Sequence, residues 1–382
     1  MAQKRIGILS GSFDPVRLSD IRTAFFVLDS SWADSMLFLP VLPGRAPAGD
    51  RWKMLVSACA SDSRLIPSRA ALDLGQDRIN ADIIRNLQKD YDDADFVCVI
   101  RPEDLMSLSA CSDSVSLFRS CSFLVLVPVS LQDSSVFYKE LGRLTGQGGH
   151  FRTVPADPVP DFSGYSLDEL DVSVLEYCRC KGLYGLSGKQ QHIDAWIDQL
   201  FAALKPRRFA HSLSVAYTSV QLASRYGCDP LRAEQAGLLH DCAKCLPLKE
   251  MRRIAENNAL TDEEEVLSSE ALLHSIVGAF VAETRYGMTD PDVLDAIRYH
   301  NTGYPGMSRL DMCVCLADFM EPLRPGFALL DSVRSLSRTS LEKALLLSLE
   351  GTVRYVLSKG WYLYPRTRDT IRWLRSLSEV QE

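Results

Sequence analysis

Four compact apolar runs stand out: Arg5–Ser10 (RIGILS), Ser35–Leu39 (SMLFL), Phe96–Ile100 (FVCVI) and Phe123–Pro128 (FLVLVP). None has helical periodicity, so each predicts a strand. Helix-like spacing fills the intervals at Ile21–Ser30, Arg51–Ala60 and Asn80–Lys89. Strands alternating with helices predict βαβ units and a parallel sheet over residues 1–187. Residues 145–165, rich in Gly, Pro and Asp, predict a long loop. The texture changes at Gly185–Lys189, and beyond it strand signals almost vanish. Asp229-Pro230 and Asp290-Pro291 pair an N-cap residue with proline at the first helical position. Gly227 and Gly287 fall where helices should end, and Pro322 closes the segment Leu310–Glu321. Residues 190–382 therefore predict an all-α domain of roughly eight to ten helices.

The length, 382 residues, fits two or three domains. At 46% hydrophobic and 24% charged the chain is ordinary for a globular protein, which excludes a wholly disordered chain, a collagen or a small disulfide scaffold. The net charge of −7 divides almost evenly about Gln190, so neither half is a basic block built for nucleic acid, and no nucleic-acid partner is expected. No apolar run reaches membrane-spanning length, and the opening MAQKRIGILSGSFDP reads as strand and turn, not as an export signal. Eleven cysteines, an odd number without such a signal, predict reduced thiols and a cytoplasmic location with no membrane partner. Cys242-x-x-Cys245 has no second pair at zinc-finger spacing.

The histidines carry the most information. His211, His240, His274 and His300 fall on different predicted helices, His240 is followed by Asp241, and Asp318 closes the apolar run Val314–Ala317. A lone histidine on an apolar face is more often a satisfied core side chain than a ligand. Several such faces bearing imidazole and carboxylate can instead converge inside a bundle, which is how helical cores build metal sites. This donor set suits Fe, Mn, Zn, Co or Ni.

The order His211, His240-Asp241, Asp318 resembles the HD-domain metallophosphohydrolases. AGLLHDCAK (236–244), LLHSIVGAF (272–280), RYHNTGYPGMS (298–308) and CLADFMEPLR (315–324) are similar to the bacterial symmetrical diadenosine tetraphosphate hydrolases over about residues 200–365. The resemblance implies one metal held by His211, His240, Asp241 and Asp318. It implies a second held by His274 and His300 with Asp241 bridging, and iron as the metal, with Mn or Co as alternatives. It also implies a dinucleoside polyphosphate substrate, with Asp241 and Lys244 as catalytic groups. Cations suited to a phosphate chain are Lys244, three residues after Asp241, Arg208, three before His211, and Arg324 beyond Asp318. Thr302-Gly303 offers a hydroxyl and a permissive backbone after His300, and Glu321 is read as orienting Arg324.

The first block resembles nicotinate mononucleotide adenylyltransferases, through Ile8–Pro15 (ILSGSFDP), Arg51–Leu55, Asp77–Asp82 and Val174–Gly185. This implies a Rossmann-like nucleotidyltransferase fold. The family's His-x-Gly-His phosphate cluster is replaced by Arg17-Leu18-Ser19-Asp20, and Phe162–Glu169 contains no arginine where a late phosphate motif belongs. A carboxylate facing a triphosphate repels it, so adenylyl transfer is expected to be lost, leaving a domain that packs or that still binds an adenine nucleotide. Alternatives to diadenosine tetraphosphate hydrolysis are another nucleotide as substrate, a bifunctional NAD-synthesis enzyme, and a non-catalytic nucleotide-binding regulator.

Overall fold

The computed structural model describes residues 4–109, 114–128, 131–155, 167–186 and 193–379. The chain divides into two compact units, residues 1–175 and 176–382. The division falls inside the helix Val172–Cys180. The sequence places the boundary at 187–190, in a stretch that lies outside the described residues.

The first unit is a six-stranded sheet of β1 (Arg5–Gly11), β2 (Ser35–Pro40), β3 (Leu65–Pro67), β4 (Asp95–Ile100), β5 (Ser122–Val127) and β6 (Phe151–Pro155). All neighbours are parallel, in the order β3-β2-β1-β4-β5-β6. Ile8 on β1 stands against Leu37 on one side and Cys98 on the other. Residues such as Ile6, Leu37, Phe38, Phe123 and Val125 are fully buried, which is why these runs are apolar without alternation. The connecting helices are α1 (Leu18–Asp29), α2 (Ala48–Cys59), α3 (Ala70–Asp73), α4 (Ala81–Asp90), α5 (Pro102–Ser109), α6 (Ser114–Phe118) and α7 (Ser135–Gly146). The Asn80 side chain caps α4 by accepting from the Ile83 amide at 3.0 Å. Strand order reverses direction between β1 and β4. Beyond the carboxyl ends of those two strands is a crevice lined by residues from Leu9 to Pro15, from Val99 to Arg101, and by Arg17 and Asp20.

The loop expected over 145–165 is corrected in part. Thr145 and Gly146 end α7, and Phe151–Pro155 form the edge strand β6. Residues 156–166 lie outside the described residues.

The helix α8 (Val172–Cys180) leads into the second unit. There follow α9 (Ile193–Ala203), α10 (Pro206–Tyr226), α11 (Pro230–Leu239), α12 (Leu248–Asn257), α13 (Glu264–Leu267) and α14 (Glu270–Tyr286). The chain continues with α15 (Pro291–Tyr299), α16 (Arg309–Met320), α17 (Ala328–Leu336), α18 (Leu341–Ser358) and α19 (Pro365–Glu379). This is one helix more than the upper expectation, and the described residues of this unit contain no strand. Asp229 and Asp290 accept from Leu231 N at 2.8 Å and Asp292 N at 3.0 Å, capping helices whose first residue is proline. Gly227 and Gly287 end α10 and α14 in the left-handed region.

Helix α16 is buried nearly all round: Leu316, Ala317, Cys313 and Val314 have no exposed surface, and Val333, Leu341 and Leu345 pack against it. A helix apolar on every face belongs at the centre of a bundle. Helices α10 and α11 approach closely because Gly237 carries no side chain: a Cβ there would stand 2.7 Å from Ala216 Cα. No helix among the described residues is long and apolar enough to cross a membrane.

Candidate metal centre

Five helices bring six of the predicted residues together. His211 comes from α10, His274 from the first turns of α14 and Asp318 from the last turn of α16. His240 and His300 are each the C-cap residue of their helix, α11 and α15, and Asp241 follows His240 directly. Apart from Asp318, whose side chain is 25% exposed, all are buried. Asp318 Oδ1 lies 3.0 Å from His211 Nε2 and 3.9 Å from His240 Nε2. Asp241 Oδ1 lies 3.2 Å from His274 Nε2 and 3.9 Å from His300 Nε2. Asp241 Oδ2 lies 3.4 Å from His240 Nε2 and 3.9 Å from His211 Nε2.

Each imidazole is held from behind. Nδ1 of His240 meets the Gly237 carbonyl at 2.7 Å, that of His300 the Ile297 carbonyl at 2.8 Å, and that of His274 the Glu270 carbonyl at 3.1 Å. A carbonyl only accepts, so these Nδ1 atoms carry the protons and the Nε2 atoms present lone pairs. Nδ1 of His211 faces Glu321 Oε1 at 3.2 Å. All four Nε2 atoms therefore point inward while their rings are tethered outward, the arrangement that orients metal-binding histidines.

The inward face is underpaired. His274 Nε2 and His300 Nε2 stand 3.2 Å apart, two acceptors facing each other. Nε2 of His211, Nε2 of His240 and Oδ1 of Asp241 are buried without a hydrogen-bond partner. Donor atoms of His211, His240 and Asp318 lie within 4.8 Å of one another, as do those of His240, Asp241 and His300. Buried lone pairs crowded in this way are costly until a cation or a proton sits among them. The mixture of imidazole and carboxylate fits a divalent transition metal.

Burial and the neighbouring His240 and His274 push the His300 pKa down to about 3, keeping it neutral and able to ligate. Burial alone would raise Asp241, but His240 and His274 hold its carboxyl well below the usual range. Burial lowers the His211 imidazole, yet the Asp318 and Glu321 carboxylates beside its two nitrogens prevail and lift it to about 9, so binding a metal there would release a proton.

Three cations reach the cluster. Arg208 Nη1 is 2.6 Å from Asp241 Oδ2. Lys244 Nζ stands 3.2 and 3.3 Å from the two ring nitrogens of His274. Arg324 Nη2 donates to the Asp318 carbonyl at 2.7 Å and lies 3.5 Å from Asp318 Oδ1. Thr302 and Gly303 are engaged elsewhere. The Thr302 hydroxyl donates to the Gly303 carbonyl at 3.1 Å, its carbonyl accepts from Thr370 Oγ1, and Gly303 packs on Thr370.

Glu321 is the residue that sequence reasoning misassigned. Its side chain holds His211, with Oε2 fixed by the Leu323 amide at 2.6 Å, and does not orient Arg324. The signal available was a buried acid three residues beyond Asp318. Cys242 and Cys245 point to different partners, the Gly278 carbonyl and the Lys205 amide.

The HD domain family matches residues 208–323, the stretch that contains His211, His240, Asp241, His274, His300 and Asp318. The symmetrical bis(5'-nucleosyl)-tetraphosphatase of Bacillus subtilis (strain 168) is 38% identical over 173 residues, which are 45% of this chain and 92% of that protein. The second unit belongs to the HD-domain hydrolase family that contains this relative. A crystal structure described as a predicted HD superfamily hydrolase involved in NAD metabolism, from Clostridium acetobutylicum, is 37% identical over the part it matches. It covers 49% of this chain and 99% of its own, with a TM-score of 0.47. A Mycoplasma genitalium protein named probable nicotinate-nucleotide adenylyltransferase/Ap4A hydrolase is 25% identical over 366 residues, 91% of this chain and 97% of its own. That likeness spans both the α/β unit and the HD unit.

In the α/β unit, Asp20 sits buried at the start of α1, where Oδ2 accepts from the Arg17 amide at 2.9 Å. Burial raises its pKa to about 6, against the lowering effect of Arg17 and Arg101. Arg17 Nη1, also at the crevice, is buried without a hydrogen-bond partner.

Proposed function

We propose that the HD unit hydrolyses diadenosine tetraphosphate symmetrically to two ADP, at the His/Asp cluster. The observation that carries this reading is the set of four tethered imidazoles turned inward onto two carboxylates, with His274 Nε2 and His300 Nε2 face to face at 3.2 Å. His211, His240, Asp241 and Asp318 would hold one divalent ion. His274 and His300, with Asp241 shared, would hold a second, iron first and Mn or Co as alternatives. Such a pair supplies charge neutralisation on phosphoryl oxygens and a water of lowered pKa.

The chain's own residues do the rest. The carbonyls of Gly237, Ile297 and Glu270 and the Glu321 carboxylate fix the imidazoles, so the donor set is preorganised. Arg208, Lys244 and Arg324 bring three positive charges to the rim, suited to a polyphosphate whose charge grows on the departing ADP. Arg208 exchanges Asp241 for a phosphate oxygen when both are present. Lys244, half-buried beside His274, is pushed below the ordinary lysine range by desolvation, which eases proton delivery to a leaving oxygen. Thr302 and Gly303 enter this reading only through the bend after His300. The names of the relatives support the substrate. The test is metal analysis of the purified protein with chromatography of its products. ADP alone is expected; AMP with ATP would overturn symmetrical cleavage, and no turnover across a nucleotide panel would overturn the hydrolase reading.

The α/β unit is read as lacking adenylyl transfer. Asp20 places its own carboxylate at the amide end of α1, where a phosphate would otherwise be received. The crevice beside the Gly11–Pro15 turn is where an adenine nucleotide would enter. The two-activity name of the Mycoplasma genitalium relative favours the bifunctional reading, and release of pyrophosphate from ATP with nicotinate mononucleotide separates the two.

A further inference from the structure

The net charge of −7 hides a strongly basic segment. Between Arg354 and Arg375 the chain carries six basic residues and one acid, Asp369. Arg372 pairs with Asp369 and Arg375 with Glu350. Arg354, Lys359, Arg366 and Arg368 have no carboxylate partner among the described residues. At the end of α18 and in the turn joining it to α19, large apolar side chains lie open to water: Tyr355 54%, Leu357 54%, Trp361 58% and Tyr362 53% exposed. Tyr355 and Trp361 meet edge to face at 5.9 Å, and the Lys359 ammonium stands 5.6 Å above the Tyr355 ring. Arg366 is likewise stacked, on Tyr299 and Tyr364. Elsewhere in the described residues, exposed large hydrophobic side chains are scattered.

We propose that the α18–α19 turn and the adjoining first turn of α19 form a docking surface for single-stranded nucleic acid. Unpaired cations meet phosphates, and exposed rings offer stacking faces that accept any base. The interleaving favours this partner over a bilayer. A membrane anchor gathers its apolar groups at the tip and keeps cations at the flanks, whereas here Lys359 sits over a ring at the tip itself. A second copy of the chain is disfavoured because four unpaired cations would face their own images. The proposal does not depend on the hydrolase reading.

The experiment is fluorescence anisotropy with a fluorescein-labelled single-stranded RNA 20-mer and the full-length protein. Binding in the micromolar range is expected at low salt. Four phosphate contacts give a slope of about −3 for log affinity against log salt. Trp361→Ala with Tyr362→Ala should weaken binding by about tenfold or more. Lys359→Glu should do so independently while the melting temperature stays unchanged. No binding at 50-fold excess protein over the micromolar range, or equal binding by both variants, overturns the proposal. So does a protein that ignores RNA but co-sediments with anionic phospholipid vesicles, or a dimer that the double variant dissociates.

Discussion

Replacing Glu321 by alanine probes the reading of the centre most directly. The side chain is buried, with one oxygen 3.2 Å from His211 Nδ1 and the other 2.6 Å from the Leu323 amide. Alanine leaves His211 Nδ1 without its acceptor and the imidazole free to turn. Losing a hydrogen bond to a charged group costs about 1.5–3 kcal/mol. The outer partner of a metal-binding histidine is worth about 10–100-fold in metal affinity, or about 1.4–2.7 kcal/mol, so the two routes agree. Chelator competition with Mn²⁺ or Co²⁺ should thus show Glu321→Ala weakened by that factor. Glu321→Gln, which keeps an acceptor oxygen and loses the charge, should fall between it and the parent. Helix content and melting of the metal-free forms serve as controls for folding. Parental metal affinity in Glu321→Ala would refute the orienting role.

Asp241→Ala removes the carboxylate that lies near all four imidazoles, and metal content and turnover should both fall to background. Lys244→Ala should lower turnover while metal content, measured by elemental analysis, is retained. Asp20→Asn tests the α/β unit. A folded pKa of about 6 against 3.8 means that folding takes up a proton between those values, so the stabilising contribution present below pH 3.8 is lost as pH rises through 6. Asparagine keeps the cap without the charge, so the variant should gain up to about 3 kcal/mol over the parent at pH 8 and nothing at pH 3.5, read from denaturant midpoints. Gly237→Ala drives a Cβ to within 2.7 Å of Ala216 Cα and should cost about 1–3 kcal/mol, with a loss of metal affinity because α11 carries His240.

Strands β1, β2, β4 and β5 were legible because each is buried on both faces and so reads as an unbroken apolar run. Two others were not. β3 is three residues long, and β6 lies at the sheet edge with Arg152 and Thr153 exposed, leaving no apolar run. The inward histidines were legible because imidazole interrupts apolar helix faces. The partner of Glu321 was not, since it depends on how α10 crosses α16, which no local pattern encodes. Helical spacing pointed Arg208 toward the cluster, where it meets Asp241, whereas Lys244 reaches His274 from a turn, and Thr302, singled out for following His300, turns its hydroxyl back to its own chain.

The two helices that end in histidine act as rulers. α11 spans ten residues and α15 nine, each fixed at its start by an Asp-Pro cap. Arg232 ties those starts together, reaching Asp290 at 2.9 Å and Asp292 at 2.7 Å. One added residue turns a helix end by about 100° and advances it about 1.5 Å. An insertion between Asp229 and His240 would therefore swing the imidazole out of the cluster while every ligand remained in the sequence. The centre is specified by distances along the chain as much as by side chains: outward-facing residues of α11 other than Arg232 can be exchanged, but its length cannot change.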